Sequence, residues 1–255
     1  MRSLVVFIVG VAVTAGGAKA QLAVELGGGS ATYKEDASIA PVESDWEGDY
    51  GAVTLTYGKF DYEWLQGGVS FGTFATSEET EKWERNGALV QRNDMDFYGQ
   101  DLHGQIGWGW SLLALKEAVL VGYGYKRYHF DRWIEGTGGV WEKYDIHYAD
   151  VEGRLAFEPT DIVRLHAGGS YGYVFDNEAD NELLGTIEGD GGNILRAKAG
   201  VDIQVHDNVT ILVSGLWERQ ELEGGTKRDN ALIVEWPDNE TETLSGQIGV
   251  LITAY

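Results

Sequence analysis

Past residue 20 the chain holds no apolar run long enough to cross a membrane as a helix, yet it repeats one pattern to its end. Stretches of about 10 to 14 residues alternate apolar and polar side chains, and each is followed by a break. An extended stretch of this kind has one apolar and one polar face. Leu195, Ala197, Ala199, Val201, Ile203 and Val205 form one such face; Arg196, Lys198, Asp202 and Gln204 form the other. A soluble sandwich would rarely bury two bases and an acid together. A watered lumen accepts them, with the apolar side against lipid.

Read this way, the chain gives ten strands, about 21–34, 46–58, 62–75, 93–109, 118–130, 144–157, 162–175, 193–205, 209–221 and 243–255. The breaks alternate in length. Those at 58–61, 158–161 and 206–208 are short and 110–117 is intermediate, while 35–45, 76–92, 131–143, 176–192 and 222–242 are long and polar. This is the layout of an all-β, transmembrane antiparallel β-barrel of a bacterial outer membrane, with short periplasmic turns and long extracellular loops. Pro41, Pro159 and Pro237 all fall in expected connections, where no ladder donor is lost. Trp46, Trp64, Trp108, Trp110 and Trp217 sit near strand ends, where interfacial girdles are expected.

Export fits the N-terminus. Residues 1–20 carry Arg2, an apolar run from Leu4 to Val13, and small residues closing on Ala18-Lys19-Ala20, the three-part layout of a cleaved signal peptide. Residues 21–255 are then the barrel. The whole chain has 19 bases against 41 acids, a net charge of −22, and the signal segment holds no acid. Such a surface repels nucleic acid and suits a basic peptide or another cationic ligand. Cysteine is absent, which removes thiol nucleophiles and zinc–thiolate sites; no cofactor and no metal are expected. The remaining partners implied by the architecture are outer-membrane lipid and lipopolysaccharide.

Gly109-Trp110-Ser111-Leu112-Leu113 leads into Leu120-Val121-Gly122-Tyr123 and then Arg127-Tyr128-His129-Phe130; Gly169-Ser170-Tyr171 and the strand pair around 209–219 continue the likeness. This order resembles the omptins, the ten-stranded outer-membrane proteases that cut beside basic residues. The resemblance implies two aspartates above the third strand and an Asp–His pair above the seventh, facing across the mouth around a water. The chain departs from that set. The first place reads Ser77-Glu-Glu-Thr-Glu-Lys-Trp-Glu84, without aspartate, and no histidine lies between 167 and 205.

Other residues of the right type are Asp94, Asp96, Asp145 and His147, at the outer ends of their strands. Their parity matches Leu102, Ile106, Val151 and Leu155, so the pleat directs them outward, away from the mouth. The opposite parity supplies a lumen of Asp101, His103, Asp150, Glu152, Arg154, Arg164, His166, Arg196, Lys198 and Asp202. Mixed signs in a ten-stranded barrel are expected to form an ion-paired plug, with a narrow pore as the alternative. The segment 176–190 carries Asp176, Glu178, Asp180 and Glu182, an acidic loop expected to meet a cationic ligand. It lacks the glycine and closing glutamate of a calcium loop. The expectation is a non-proteolytic surface or structural barrel; the alternative is an omptin-type endopeptidase.

Overall fold

The computed structural model describes residues 20–37, 42–62, 64–134, 136, 138–229 and 232–254. The expected signal segment lies outside them except for Ala20, and so does Pro41. Every regular element described is a strand: β1 (Ala20–Asp36), β2 (Glu43–Lys59), β3 (Trp64–Thr76), β4 (Glu79–Arg85), β5 (Ala88–Leu112), β6 (Leu115–Ile134), β7 (Gly138–Thr160), β8 (Val163–Asn181), β9 (Gly185–Glu188), β10 (Gly191–His206), β11 (Val209–Glu223), β12 (Gly225–Asp229), β13 (Leu232–Trp236) and β14 (Asp238–Ala254). Ten of them pair antiparallel in a ring, which β1 closes by bonding β2 on one side and β14 on the other. A closed ladder leaves no edge, so every backbone donor and acceptor at membrane depth is met within the sheet. The chain is a transmembrane β-barrel.

The segments expected as long loops are mostly strand. After a break at Ser77 and Glu78, β4 continues the line of β3 and bridges β2 and β5. The β11–β14 hairpin resumes as β12–β13 beyond Gly224 and Pro237, and β9 folds back to pair with the upper end of β8. Antiparallel neighbours simply go on pairing above the lipid. The connection expected over 110–117 shrinks to Leu113 and Ala114, because the Trp110–Glu117, Ser111–Lys116 and Leu112–Leu115 pairs belong to the ladder. Pro159 lies in β7 where the register breaks between Phe157 and Thr160, so its missing N–H interrupts nothing.

The alternation changes meaning partway up each long strand. On β7, Phe157, Leu155 and Val151 face outward below, and His147, Asp145 and Lys143 above. Inward, the same strand carries Arg154, Glu152 and Asp150 below, then Tyr148, Ile146 and Tyr144 above. The lower outside meets lipid and the upper outside meets water, so the two faces exchange polarity at the headgroups. Exposed Trp64, Trp108 and Trp110 mark the periplasmic rim of the apolar belt, and Tyr123, Tyr173 and Phe175 the outer rim. Trp46, expected in a girdle, is instead only 1% exposed. It shares the inward parity of Ser44 and Gly48 above the belt, where the interior is aromatic.

This interior has two storeys. The upper one is a dry core in which Phe97 stacks on Phe130 with ring centroids 4.5 Å apart and Phe74, Tyr128 and Trp46 pack edgewise against Phe97. The lower one is polar and surrounds a cavity of about 370 Å³. There Arg196 meets Asp101 at 3.0 Å and Glu218 at 2.5 Å, His103 meets Asp150 at 3.0 Å, and Lys198 meets Glu25 at 2.6 Å. All ten residues expected in the lumen line this cavity. A glycine makes room for the His103–Asp150 pair: a Cβ at Gly122 would lie 2.1 Å from Asp150 Oδ1 and 2.3 Å from His103 Nε2. The expected ion-paired plug is thus corrected. The ion pairs leave space between them, and the aromatic storey above does the filling.

Three outcomes follow from closure and filling. Unboiled refolded protein should migrate differently from boiled protein on a denaturing gel, since a closed ladder resists detergent until heated. Arg196→Ala takes a shared partner from half-buried Asp101 and Glu218 and should destabilise the barrel by about 1–3 kcal/mol, read as a lower temperature for that gel shift. Planar-bilayer recordings should show no stable conductance.

Candidate functional site

The residues singled out above the belt come together on one surface, the outer face of β5 to β8. The register fixes their rows. Leu102, Tyr125, His147 and Asp176 lie side by side, and above them Gln100, Arg127, Asp145 and Glu178. The next row is Tyr98, His129, Lys143 and Asp180, followed by Asp96, Asp131 and Trp141, and then Asp94, Trp133 and Gly139. Glu182 lies beyond, its backbone N–H bonded to the Trp141 carbonyl. Asp94, Asp96, Asp145 and His147 point outward, as their parity requires.

A single irregularity in β8 brings the acidic residues to this face. Tyr148 pairs with Val174 and His147 with Asp176, so Phe175 has no partner. Phe175 and Asp176 therefore both face outward, and the parity of everything after them is reversed. Without this bulge Asp176, Glu178 and Asp180 would enter the aromatic core and Ala179 would leave it. The segment read as an acidic loop is a strand with an acidic outer face.

The lower rows neutralise their own charge. Asp145 accepts from Arg127 Nε at 2.6 Å and from the Tyr125 hydroxyl, and Lys143 Nζ lies 3.1 Å away. Burial pushes this carboxyl up, but the hydrogen bonds from Arg127, Tyr125 and Lys143 outweigh it and hold the group below the usual carboxylate range. His147 Nδ1 is 2.7 Å from the Tyr123 hydroxyl. Higher up the balance fails. Asp96 and Asp131 stand directly opposite each other, Asp94 neighbours Trp133, and Trp133 is 64% exposed. Trp133, Trp141, Asp131 and Lys143 were missed as site residues because 131–143 read as loop; continuing the strand parity would have found them, and Arg127, inside an expected strand, carried only the family likeness.

The mouth itself is occupied. Over it lies a buried cluster centred on Arg132, with Glu81 fully covered. All five histidines are described, and none reaches this region. His103 and His166 line the lower cavity, His129 and His147 face outward, and His206 ends β10 at a periplasmic turn.

No family model matches the chain, and no curated protein resembles it in sequence at a significant level. Among solved structures it is similar to the outer membrane protease OmpT of Escherichia coli, with a TM-score of 0.71 at 11% identity over 92% of this chain and 97% of that one. It is also similar to the transport unit of the E. coli autotransporter AIDA-I, with a TM-score of 0.53 at 10% identity over 92% and 90% of the two chains. At such identities the likeness concerns the fold, and that fold is the outer-membrane β-barrel. Repacking is expected to be local on this exposed face: Trp133→Ala should leave the gel shift within about 0.5 kcal/mol of wild type.

Proposed function

We propose that this protein is a non-proteolytic outer-membrane surface barrel that holds a basic, partly apolar ligand against the outer face of β5 to β8. The observation that carries this reading is the convergence of Asp94, Asp96, Asp131, Asp180 and Glu182 around exposed Trp133 and Trp141. Carboxylates attract Lys and Arg over a screened range of about 10 Å at moderate salt, and the indole faces add cation–π and apolar contact. Arg127 and Lys143, lower on the same face, lie just above the aromatic rim, where lipopolysaccharide phosphates would meet them. The endopeptidase alternative has less support. Its chemistry needs a histidine among carboxylates at the mouth, whereas His147 faces away from it and the mouth is packed.

Fluorescence anisotropy tests the reading, using refolded protein with lipopolysaccharide and a labelled Arg- and Lys-containing amphipathic peptide. Binding should weaken steeply as salt rises. Asp131→Asn with Asp180→Asn should weaken it several-fold, and Trp133→Ala with Trp141→Ala by on the order of tenfold. Salt-independent binding, or binding indifferent to all four changes, would sink the proposal. Turnover of a fluorogenic dibasic peptide above a barrel-free blank, lost in His147→Ala or Asp96→Ala, would restore the protease.

A further inference from the structure

Four strands meet at one guanidinium over the mouth, and hydrogen bonds to its partners draw in four more. Arg132 on β6 is 3% exposed. Its Nε lies 3.0 Å from both oxygens of Glu81 on β4; its other nitrogens reach Glu142 on β7 and, at 3.3 Å, Glu35 on β1. Ser44 on β2 and Asn93 on β5 donate to Glu81 at 2.6 and 2.8 Å, and Asn181 on β8 donates to Glu142 at 2.8 Å. Tyr33 on β1 donates to Glu35 and lies 3.3 Å from the Tyr144 hydroxyl of β7. Trp236, at the end of β13, donates to that same hydroxyl at 2.7 Å. These are the titratable and charged groups facing the site from every element around it: Tyr33, Glu35, Glu81, Arg132, Glu142 and Tyr144.

The count is three carboxylates against one cation in a site almost closed to water, with Glu81 fully covered and the Glu35 and Glu142 side chains 11% exposed. Full ionisation would leave uncompensated negative charge in a medium that screens it poorly. The hydrogen bonds decide which carboxyl keeps a proton. Glu81 is met by Ser44, Asn93 and Arg132, and Glu142 by Asn181 and a close contact with Arg132. Glu35 has one phenol and the longest of the Arg132 contacts, so its ionised form is the least supported. We propose that Glu35 is a proton-operated latch: protonated, it lets the upper ends of β1 and β2 dock on the Arg132 cluster, and ionised, it loosens that dock.

Burial, opposed by Arg132 and reinforced by Glu142 and Glu81, pushes the Glu35 carboxyl up to about 7. A carboxyl raised in the folded state binds more protons there than in the opened one. Its stabilising contribution is therefore complete below the ordinary carboxylate value, falls as pH rises toward about 7, and is gone above it. The mouth tightens in acid and loosens in alkali. Because Trp236 joins the same network through Tyr144, the β12–β13 hairpin loosens with it.

Hydrogen exchange on the refolded barrel in nanodiscs, corrected for intrinsic rates, tests this on residues 30–36 and 43–50. Between about pH 5 and about pH 8 the local opening equilibrium should rise by at most about 70-fold, since each unit of pKa difference is a factor of ten. Glu35→Gln should stay protected at both values, and Asp45→Asn, an exposed neighbour, should behave as wild type. A wild type without pH dependence, or a Glu35→Gln variant that keeps it, overturns the proposal. Difference infrared spectroscopy on the wild type decides the matter should Glu35→Gln fail to fold. A protonated carboxyl signal titrating near 7, shifted upward by Tyr33→Phe, supports the latch. Carboxyls that all titrate in the ordinary range overturn it.

Discussion

Each long strand of this barrel alternates its side chains with a single period of two, while the medium outside it changes from lipid to water along its length. One ladder therefore has to serve two opposite partitions. Below the rim of Tyr123, Tyr173 and Phe175 the apolar residues belong outside and the charged ones inside. Above it the arrangement is reversed, with Trp46, Phe97, Phe130 and Ile146 inside and Asp145, Asp180 and their neighbours outside. Apart from the bulge at Phe175 the backbone ladder continues through the change, since its hydrogen bonds are indifferent to which side chain faces which way. The barrel is a membrane protein at one end and a soluble barrel with a hydrophobic core at the other.

That exchange explains what the sequence disclosed and what it hid. The lower strands were legible because Leu195 to Val205 and Arg196 to Gln204 sort cleanly into faces, and the ten lumen residues follow by parity alone. The upper strands alternate just as strictly, but an outward set such as Asp131, Trp133, Trp141 and Lys143 looks like loop when an apolar outer face is expected. Trp46 was misplaced for the same reason: an inward tryptophan fits no rule for a watered lumen. The bulge at Phe175 has no local signature in sequence, because nothing in Tyr171 to Asp176 says which residue will lack a partner. The sequence parity of Asp94, Asp96, Asp145 and His147 held, whereas the join of these residues to Asp176, Glu178 and Asp180 depended on that unseen irregularity.

The filled upper storey also separates this barrel from an open vessel. Phe74, Phe97, Phe130 and Tyr128 occupy the space above the cavity, and the Arg132 cluster ties eight strands together over them. A mouth built this way gains rigidity from close packing and gives up a recess in which a substrate could be surrounded. Whatever such a barrel presents to the outside must be carried on its outer wall or on its tips. Under the proposed reading, the β5–β8 face is where that presentation happens, and the Arg132 cluster beneath it sets how firmly the neighbouring strands are held.

Charge follows the same vertical logic. Inside the lower barrel the acids and bases lie in short pairs such as Lys198–Glu25 and Arg154–Glu152, because unpaired charge there would interact through a poorly screening medium. Just above the lipid the signs still alternate, in Arg127 and Lys143 around Asp145 on one side of the barrel. On the other side they alternate along the row Glu240, Lys34, Asp45, Lys82. Higher still, compensation lapses on both sides: Asp96 faces Asp131, and Asp238, Asp36, Glu43 and Glu84 stand side by side across four strands. Like charges facing each other across a sheet cost about 0.2–1 kcal/mol per pair, and water with salt reduces that further. The inward Tyr33 and Trp46 of the same strands, both fully buried, more than offset it. The strong acidity of the chain is thus placed at the level where it destabilises the fold least and where a cation arriving from outside meets it first.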